Sequence, residues 1–224
     1  MNTRYERLAM VIGEESVDKL TRCRVAVVGI GGVGGICAEA LARSGIGHLV
    51  LVDGDTVEPT NINRQVVAFT STVGKNKAGL MAGQVRDIGE DIDVQVYPVF
   101  LTNDEVPLEG LDYVVDAIDS ADDKVALAAR CRALGIPLIA AMGAGSKRDP
   151  MAFRVMRIEE TAVDPFAKVM RKKYKDAGIE GVKVVCSMEK PVKTGSATPG
   201  SFMPAVAAAG LLMAAEVIKD LLGQ

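Results

Sequence analysis

The apolar positions of this 224-residue chain follow two alternating periods over its first two thirds. Residues 24–29 (RVAVVG) are a short, β-branched apolar run closed by a glycine, the pattern of a strand buried on both faces. Val33, Ile36, Cys37, Ala40 and Leu41 then recur at three- and four-residue spacing, which predicts a helix. Ser44-Gly45 ends that pattern before a second apolar run at 48–53. Further buried strands are predicted at 94–99, 113–118 and 137–141, with helices over 77–88 and 124–134 between them. This alternation predicts an α/β fold, a doubly wound and mainly parallel sheet with helices on both faces.

Beyond Gly145 the pattern changes. Strands are predicted at 151–158 and 182–187, an exposed basic helix over 165–176, a glycine- and serine-rich loop over 194–201, and a final apolar helix. The expected organisation is one domain over 1–224, with a core at 1–145 and, at 146–224, a C-terminal antiparallel extension with a closing helix. The apolar stretch 202–215 is interrupted by Pro204 and Gly210 and is shorter than the roughly 20 residues a membrane span needs. It is expected to be a buried helix, and no membrane partner is expected.

Hydrophobic residues make up 49% and charged residues 25%, which excludes disordered and fibrous classes. The net charge of −3 argues against a generally basic nucleic-acid binder. Its distribution is uneven, since residues 147–193 hold 12 basic and 7 acidic side chains. Within that segment Lys168, Arg171, Lys172, Lys173 and Lys175 are spaced closely enough to follow a phosphate backbone, and Arg148, Arg154 and Arg157 would extend the patch. A solvated helix face is the other reading of the same residues, and the lone Tyr174 does not establish base stacking. Cys23, Cys37, Cys131 and Cys186 form no C-x-x-C pair, so neither zinc nor a disulfide framework is expected. Cys186, after a Val-Val run, reads as a strand thiol, and His48 reads as structural. Arg4, Glu6 and Arg7 interrupt the N-terminal segment, which lacks the apolar core of a secretion signal, so a reducing cytoplasm is the expected location.

The clearest chemistry lies at Gly29-Ile30-Gly31-Gly32-Val33-Gly34, on a predicted strand-to-helix turn. Glycines there let backbone N–H groups and a helix N-terminus approach a phosphate, as in a Rossmann-like fold. Asp53 ends the next strand, where a carboxylate accepts ribose hydroxyls. This spacing suits NAD as well as ATP. The cations that follow distinguish them: Arg64, in Asn61-Ile62-Asn63-Arg64-Gln65, and Lys77 on the next helix suit a triphosphate and the charge of departing pyrophosphate.

With Gly29, Gly31, Gly32 and Gly34, Asp53 and Asp55 in VDGDTV, Asn61 and Arg64 in NINRQ, Lys77 in GKNKA and Asp119 in DAIDS, the chain resembles the ThiF/MoeB/HesA group, relatives of the ubiquitin-activating adenylation domain. The resemblance spans nearly the whole chain. It implies ATP as substrate, Asp53 on ribose, and Asn61, Arg64 and Lys77 on phosphates. Asp119 would support Mg2+ through ATP, although as a bare residue it also reads as a cap for a helix starting near Asp122. Arg7 matches an arginine supplied by the partner subunit of a homodimer. Gly143-Ala144-Gly145, Arg148-Asp149-Pro150, DPFAKVMRKK and VVCSMEKP resemble the branch of tRNA threonylcarbamoyladenosine dehydratases. That branch implies an ATP-dependent enzyme adenylating the threonine carboxylate of the modified adenosine at tRNA position 37, with cyclisation to follow. It also admits a sulfur-transfer protein as partner. The alternative is an adenylyltransferase for the C-terminal glycine of a small sulfur carrier, whose members commonly keep the two C-x-x-C pairs that this sequence lacks.

Overall fold

The computed structural model describes residues 3–101, 106–193, 195–196 and 198–224. Seven strands form one sheet: β1 (Arg24–Val28), β2 (His48–Val52), β3 (Asp93–Tyr97), β4 (Tyr113–Asp116), β5 (Leu138–Ala141), β6 (Phe153–Arg157) and β7 (Lys183–Ser187). Their order is β3-β2-β1-β4-β5-β7-β6, and every pair is parallel except β6 with β7. The expected doubly wound α/β sheet with a C-terminal antiparallel extension is therefore what the chain forms.

The helices are α1 (Glu6–Ile12), α2 (Glu14–Leu20), α3 (Gly32–Arg43), α4 (Lys77–Ile88), α5 (Ala121–Leu134), α6 (Pro165–Asp176) and α7 (Met203–Leu222). Alternate strand positions face opposite layers. Val25, Val27, Leu49, Leu51 and Val115 pack with residues of α3, α4 and α7. Ala26, Val28, Val50 and Val114 pack with Leu127 and Cys131 of α5, while Ala140 and Val184 meet Ala167, Met170 and Tyr174 of α6. α7 lies against α3 so closely that a Cβ on Gly210 would stand 2.5 Å from the Val33 carbonyl oxygen. No helix among the described residues is long and apolar enough to cross a membrane.

Three expectations change. Residues 6–20, read only as a segment without a signal core, form two helices. The strand expected over 151–158 begins with a 3-10 turn at Pro150–Ala152, initiated when the Asp149 carboxylate accepts the Met151 N–H at 2.8 Å. Helix α6 is amphipathic rather than simply exposed, with Ala167, Met170 and Tyr174 buried beneath its basic face. Thr194 and Ala197 of the expected 194–201 loop lie outside the described residues.

Candidate nucleotide site

The order of strands places the topological switch between β1 and β4, the position where open α/β sheets leave a crevice at the carboxyl ends of their strands. The glycine turn sits there, between β1 and α3. Gly29 has φ +90, and a Cβ on it would lie 2.7 Å from the Ala117 carbonyl oxygen beyond β4. A Cβ on Gly34 would overlap the Gly29 carbonyl oxygen, and one on Gly32 would meet Val206 of α7. Gly31 differs, since nothing stands within 4 Å of a Cβ built on it. Gly31 is also the N-cap of α3 and offers no side-chain cap to the first helical N–H groups. An uncapped helix N-terminus beneath open space is a cradle for an anion.

Asp53 ties this turn to the end of β2. Its Oδ2 accepts the Ile30 N–H at 2.6 Å and its Oδ1 accepts the Asp55 N–H at 2.8 Å. Burial pushes the Asp53 carboxyl above its ordinary range, against the pull of those two N–H groups and of Lys77. Each oxygen keeps a lone pair for a sugar hydroxyl. Asn76 caps α4 by accepting the Gly79 N–H at 2.9 Å, and its Nδ2 donates to the Asp53 and Asp55 carbonyls. That cap fixes Lys77, 6% exposed, whose Nζ lies 2.9 Å from Asp55 Oδ2.

Asn61 is buried at the end of a 3-10 turn, with Oδ1 accepting the Glu58 N–H at 3.1 Å. The Arg64 side chain passes beside Gly32, and its guanidinium donates to the Thr60 carbonyl at 2.8 Å and Asn63 Oδ1 at 3.1 Å. Asp119 stands exposed in the turn after β4. It does not cap α5; Ser120 does, accepting the Asp123 N–H at 3.4 Å. An exposed carboxylate beside an anion cradle fits Mg2+, which takes one or two protein carboxylates and otherwise phosphate oxygens and waters. The described residues hold no cluster of three or more His, Cys, Asp or Glu able to bind a metal.

On the other side of the crevice the β5 exit is anchored by charges the sequence reading missed. Lys147, fully buried, lies 3.2 Å from Asp164 Oδ2 and donates to the Glu189 carbonyl at 2.6 Å. Asp164 caps α6 through the Ala167 N–H at 2.9 Å. Ser146, at φ 57, holds the following loop at two points, accepting the Val192 N–H at 2.7 Å and exchanging bonds with Gly200 at 2.8 and 3.0 Å. The signal was present: Asp164 precedes Pro165 at a helix start, a capping pattern.

The basic residues separate into two groups. The Arg171 guanidinium donates to the Thr161 carbonyl and Oγ1, and Lys173 pairs with Asp122 at 2.6 Å. Arg154 and Arg157 donate to the carbonyls of Met151, Phe153 and Gly181. Lys168, Lys172 and Lys175 remain on one exposed stripe of α6, in none of the ion pairs found among the described residues. That stripe lines a cavity of about 830 Å³ with Glu159 and Glu180. Tyr174 is 0% exposed, so it stacks on no base. His48 contacts Asp93 at 3.3 Å at the opposite pole of the sheet, as befits a structural residue.

All four cysteines are buried and free. Burial, with the Asp164 charge, pushes the Cys186 thiol up to about 11, and burial with Asp116 pushes Cys131 up to about 12. Thiolate is the reactive form, so alkylation at about pH 8 is expected to leave turnover within about twofold of untreated protein. Rapid inactivation tracking labelling of one cysteine would contradict this.

The ThiF family model matches residues 5–224. The tRNA threonylcarbamoyladenosine dehydratase of Bacillus subtilis (strain 168) is 40% identical, the match covering 97% of this chain and 94% of that protein. Crystal structures of E. coli tRNA N6-threonylcarbamoyladenosine dehydratase, TcdA, in complex with ATP and with AMP, superpose with TM-scores of 0.92 and 0.93 at 37% identity, covering 98% of this chain and 94% of theirs. With its glycine turn, its cations after β2 and these matches over nearly its whole length, the chain belongs to the ThiF family.

Proposed function

We propose that this chain is an ATP-dependent tRNA threonylcarbamoyladenosine dehydratase. The observation that carries the reading is the open, uncapped N-terminus of α3 at Gly31, flanked by Asp53, Arg64 and Lys77. The likeness to dehydratases over both chain lengths supports the substrate.

A carboxylate is a poor electrophile because its oxygen leaves badly. Attack of the threonine carboxylate on the α-phosphorus of ATP forms an acyl-adenylate and releases pyrophosphate. The neighbouring carbamoyl group then attacks the activated carbonyl, closes a ring and expels AMP, an intramolecular step with little entropic cost. The glycine turn and α3 N–H groups receive phosphate, while Asp53 takes the ribose. Asn61, Arg64 and Lys77 hold the departing pyrophosphate, with Lys77 turning from Asp55 to phosphate. Bound Mg2+ would neutralise phosphate charge next to Asp119. In this division the core at 1–145 binds nucleotide and 146–224 faces the tRNA, in a cytoplasmic enzyme.

Purified protein, ATP, Mg2+ and tRNA carrying threonylcarbamoyladenosine should yield AMP, pyrophosphate and a nucleoside lighter by one water. ATP–pyrophosphate exchange that needs a carrier protein and ignores tRNA would instead support the sulfur-carrier reading.

Lys168, Lys172 and Lys175 are the cations we assign to tRNA phosphates, because Arg171 and Lys173 have protein partners. α6 starts at the β5 exit, where Asp164 accepts the Gly143 N–H at 3.3 Å, and its Lys173 pairs with Asp122 beside the Asp119 turn, so its basic face begins next to the crevice. Changing all three to glutamate should weaken tRNA binding and lower the slope of log affinity against log salt by about one per lost phosphate contact. Equal affinity in mutant and wild type would remove this face from the interface.

Arg7 lies exposed on α1, a helix with no buried residue, where Met10 and Val11 are each 82% exposed. Contiguous exposed apolar side chains mark interaction surfaces, and we assign this one to a homodimer that supplies Arg7 in trans. Mixing inactive Arg7→Ala with inactive Lys77→Ala subunits should then restore about a quarter of wild-type turnover, since half the dimers carry one intact site. No restoration after subunit exchange would exclude the trans assignment.

A further inference from the structure

The buried pair Asp116–Lys124 lies directly behind the turn that carries Asp119. Both side chains are 0% exposed, with Lys124 Nζ 2.9 Å from Asp116 Oδ1. Nζ also donates to the Asp116 carbonyl oxygen at 3.3 Å, and Oδ1 accepts the Ile118 N–H at 3.1 Å. One carboxylate oxygen thus turns the chain immediately after β4, and one ammonium from the second turn of α5 reaches back across that turn. Between them, Ala117 donates its N–H to the Val28 carbonyl at 2.8 Å and presses its own carbonyl against Gly29. Ala117 and Ile118, the two residues before Asp119, are therefore fixed to the glycine turn and to the charge pair respectively.

Packing does not account for this pair. A buried ion pair is commonly no more stabilising than apolar residues of similar volume. The neighbouring positions Val114 and Val115 show that this strand end accepts apolar side chains. Asp116 Oδ2 moreover stays buried without a hydrogen-bond partner, an arrangement a purely structural pair would be expected to improve. Burial pushes the Lys124 ammonium below its ordinary range, while Asp116 and Asp119 oppose that fall, so Asp119 lies within electrostatic reach of Nζ.

The geometry points to Asp116 and Lys124 as positioning residues that hold Asp119 in the orientation required to receive the divalent cation of a bound metal–ATP complex. This inference rests on the adenylation reading and names what aims the Asp119 carboxylate. Neither residue touches substrate; both are sealed beneath the turn.

The test is the binding of Mn2+, followed by its paramagnetic signal, to protein saturated with a non-hydrolysable ATP analogue. Lys124→Met should raise the Mn2+ dissociation constant about tenfold, the range for residues that orient a ligand from behind. Because that variant strands a buried carboxylate, the charge-free pair Asp116→Asn with Lys124→Met provides a second variant and should show the same loss. Metal-free analogue affinity should stay within about twofold in both, since the glycine turn is untouched. A folded pair variant with wild-type Mn2+ affinity would overturn the inference, even if its melting temperature fell. Failure of the wild-type protein to bind Mn2+ with the analogue would overturn the adenylation reading itself.

Discussion

Replacing Lys77 by alanine is expected to cut AMP formation by about 10²–10³-fold, the scale for removing one preorganised charge from a transition state. The fold should barely notice. Lys77 is 6% exposed, but its partner Asp55 has a side chain 53% exposed, so the carboxylate left behind is solvated rather than stranded. An ion pair open to water on one side contributes at most about 1 kcal/mol. The Asn76 cap that starts α4 accepts the Gly79 backbone N–H and does not involve the lysine side chain. Melting temperature should therefore shift by no more than about 4 °C. The check is AMP release under saturating ATP and tRNA, run beside a thermal melt. Unchanged turnover would remove Lys77 from the phosphate site, and a collapsed melting transition would make it a structural residue.

A methyl group at Gly31 is the second large effect. Glycines in the turn are required for different reasons. Gly29 has a left-handed backbone facing the Ala117 carbonyl, and Gly34 packs on the Gly29 carbonyl, so side chains there strike protein. At Gly31 the backbone is extended and the surrounding space is open, so nothing in the protein requires a glycine. A ligand does, if phosphate oxygens must come within hydrogen-bond distance of the N–H groups. Gly31→Ala should leave stability within about 1 kcal/mol, since an unstrained Gly→Ala change has small effects. It should weaken ATP binding at least tenfold, about 1.4 kcal/mol. Equilibrium binding of ATP to the purified variant checks this, with Gly34→Ala as the contrast that should unfold the turn. Wild-type ATP affinity in Gly31→Ala would mean the phosphates bind elsewhere.

Much of the fold was legible because strands buried in a parallel sheet leave short uninterrupted apolar runs, and 25–28, 49–52 and 184–186 each carry one. Helices α4 and α6 were legible to the residue, each framed by a start signal that the structure uses as a cap, Asn76 and Asp164. α1 and α2 were not. α1 buries nothing and α2 only Val17 and Leu20, so neither leaves an apolar stripe long enough to count. The site residues read from the glycine motif, Asp53, Arg64 and Lys77 converge on one crevice, because consecutive strand ends in a parallel sheet share one edge.

The charges behind the site were harder to read. Lys124 follows Asp122 and Asp123 in the charged start of α5, yet it is the one of the three that turns inward. A clue lay in Asp116, a carboxylate ending the run YVVD, since a charge buried in a strand needs a partner. The basic helix shows a different limit. Five cations were visible, but Arg171 and Lys173 bond to Thr161 and Asp122, which lie 10 and 51 residues away and carry no local signal.

ATP makes the carboxylate reactive by transferring its adenylyl group to it. Heavy oxygen placed in the threonine carboxylate of the tRNA nucleoside follows that transfer directly. After one turnover, mass spectrometry of the nucleotide products should find one labelled oxygen in AMP and unlabelled pyrophosphate. Label in inorganic phosphate with ADP as co-product, or cyclisation with no label in any nucleotide, would contradict adenylation.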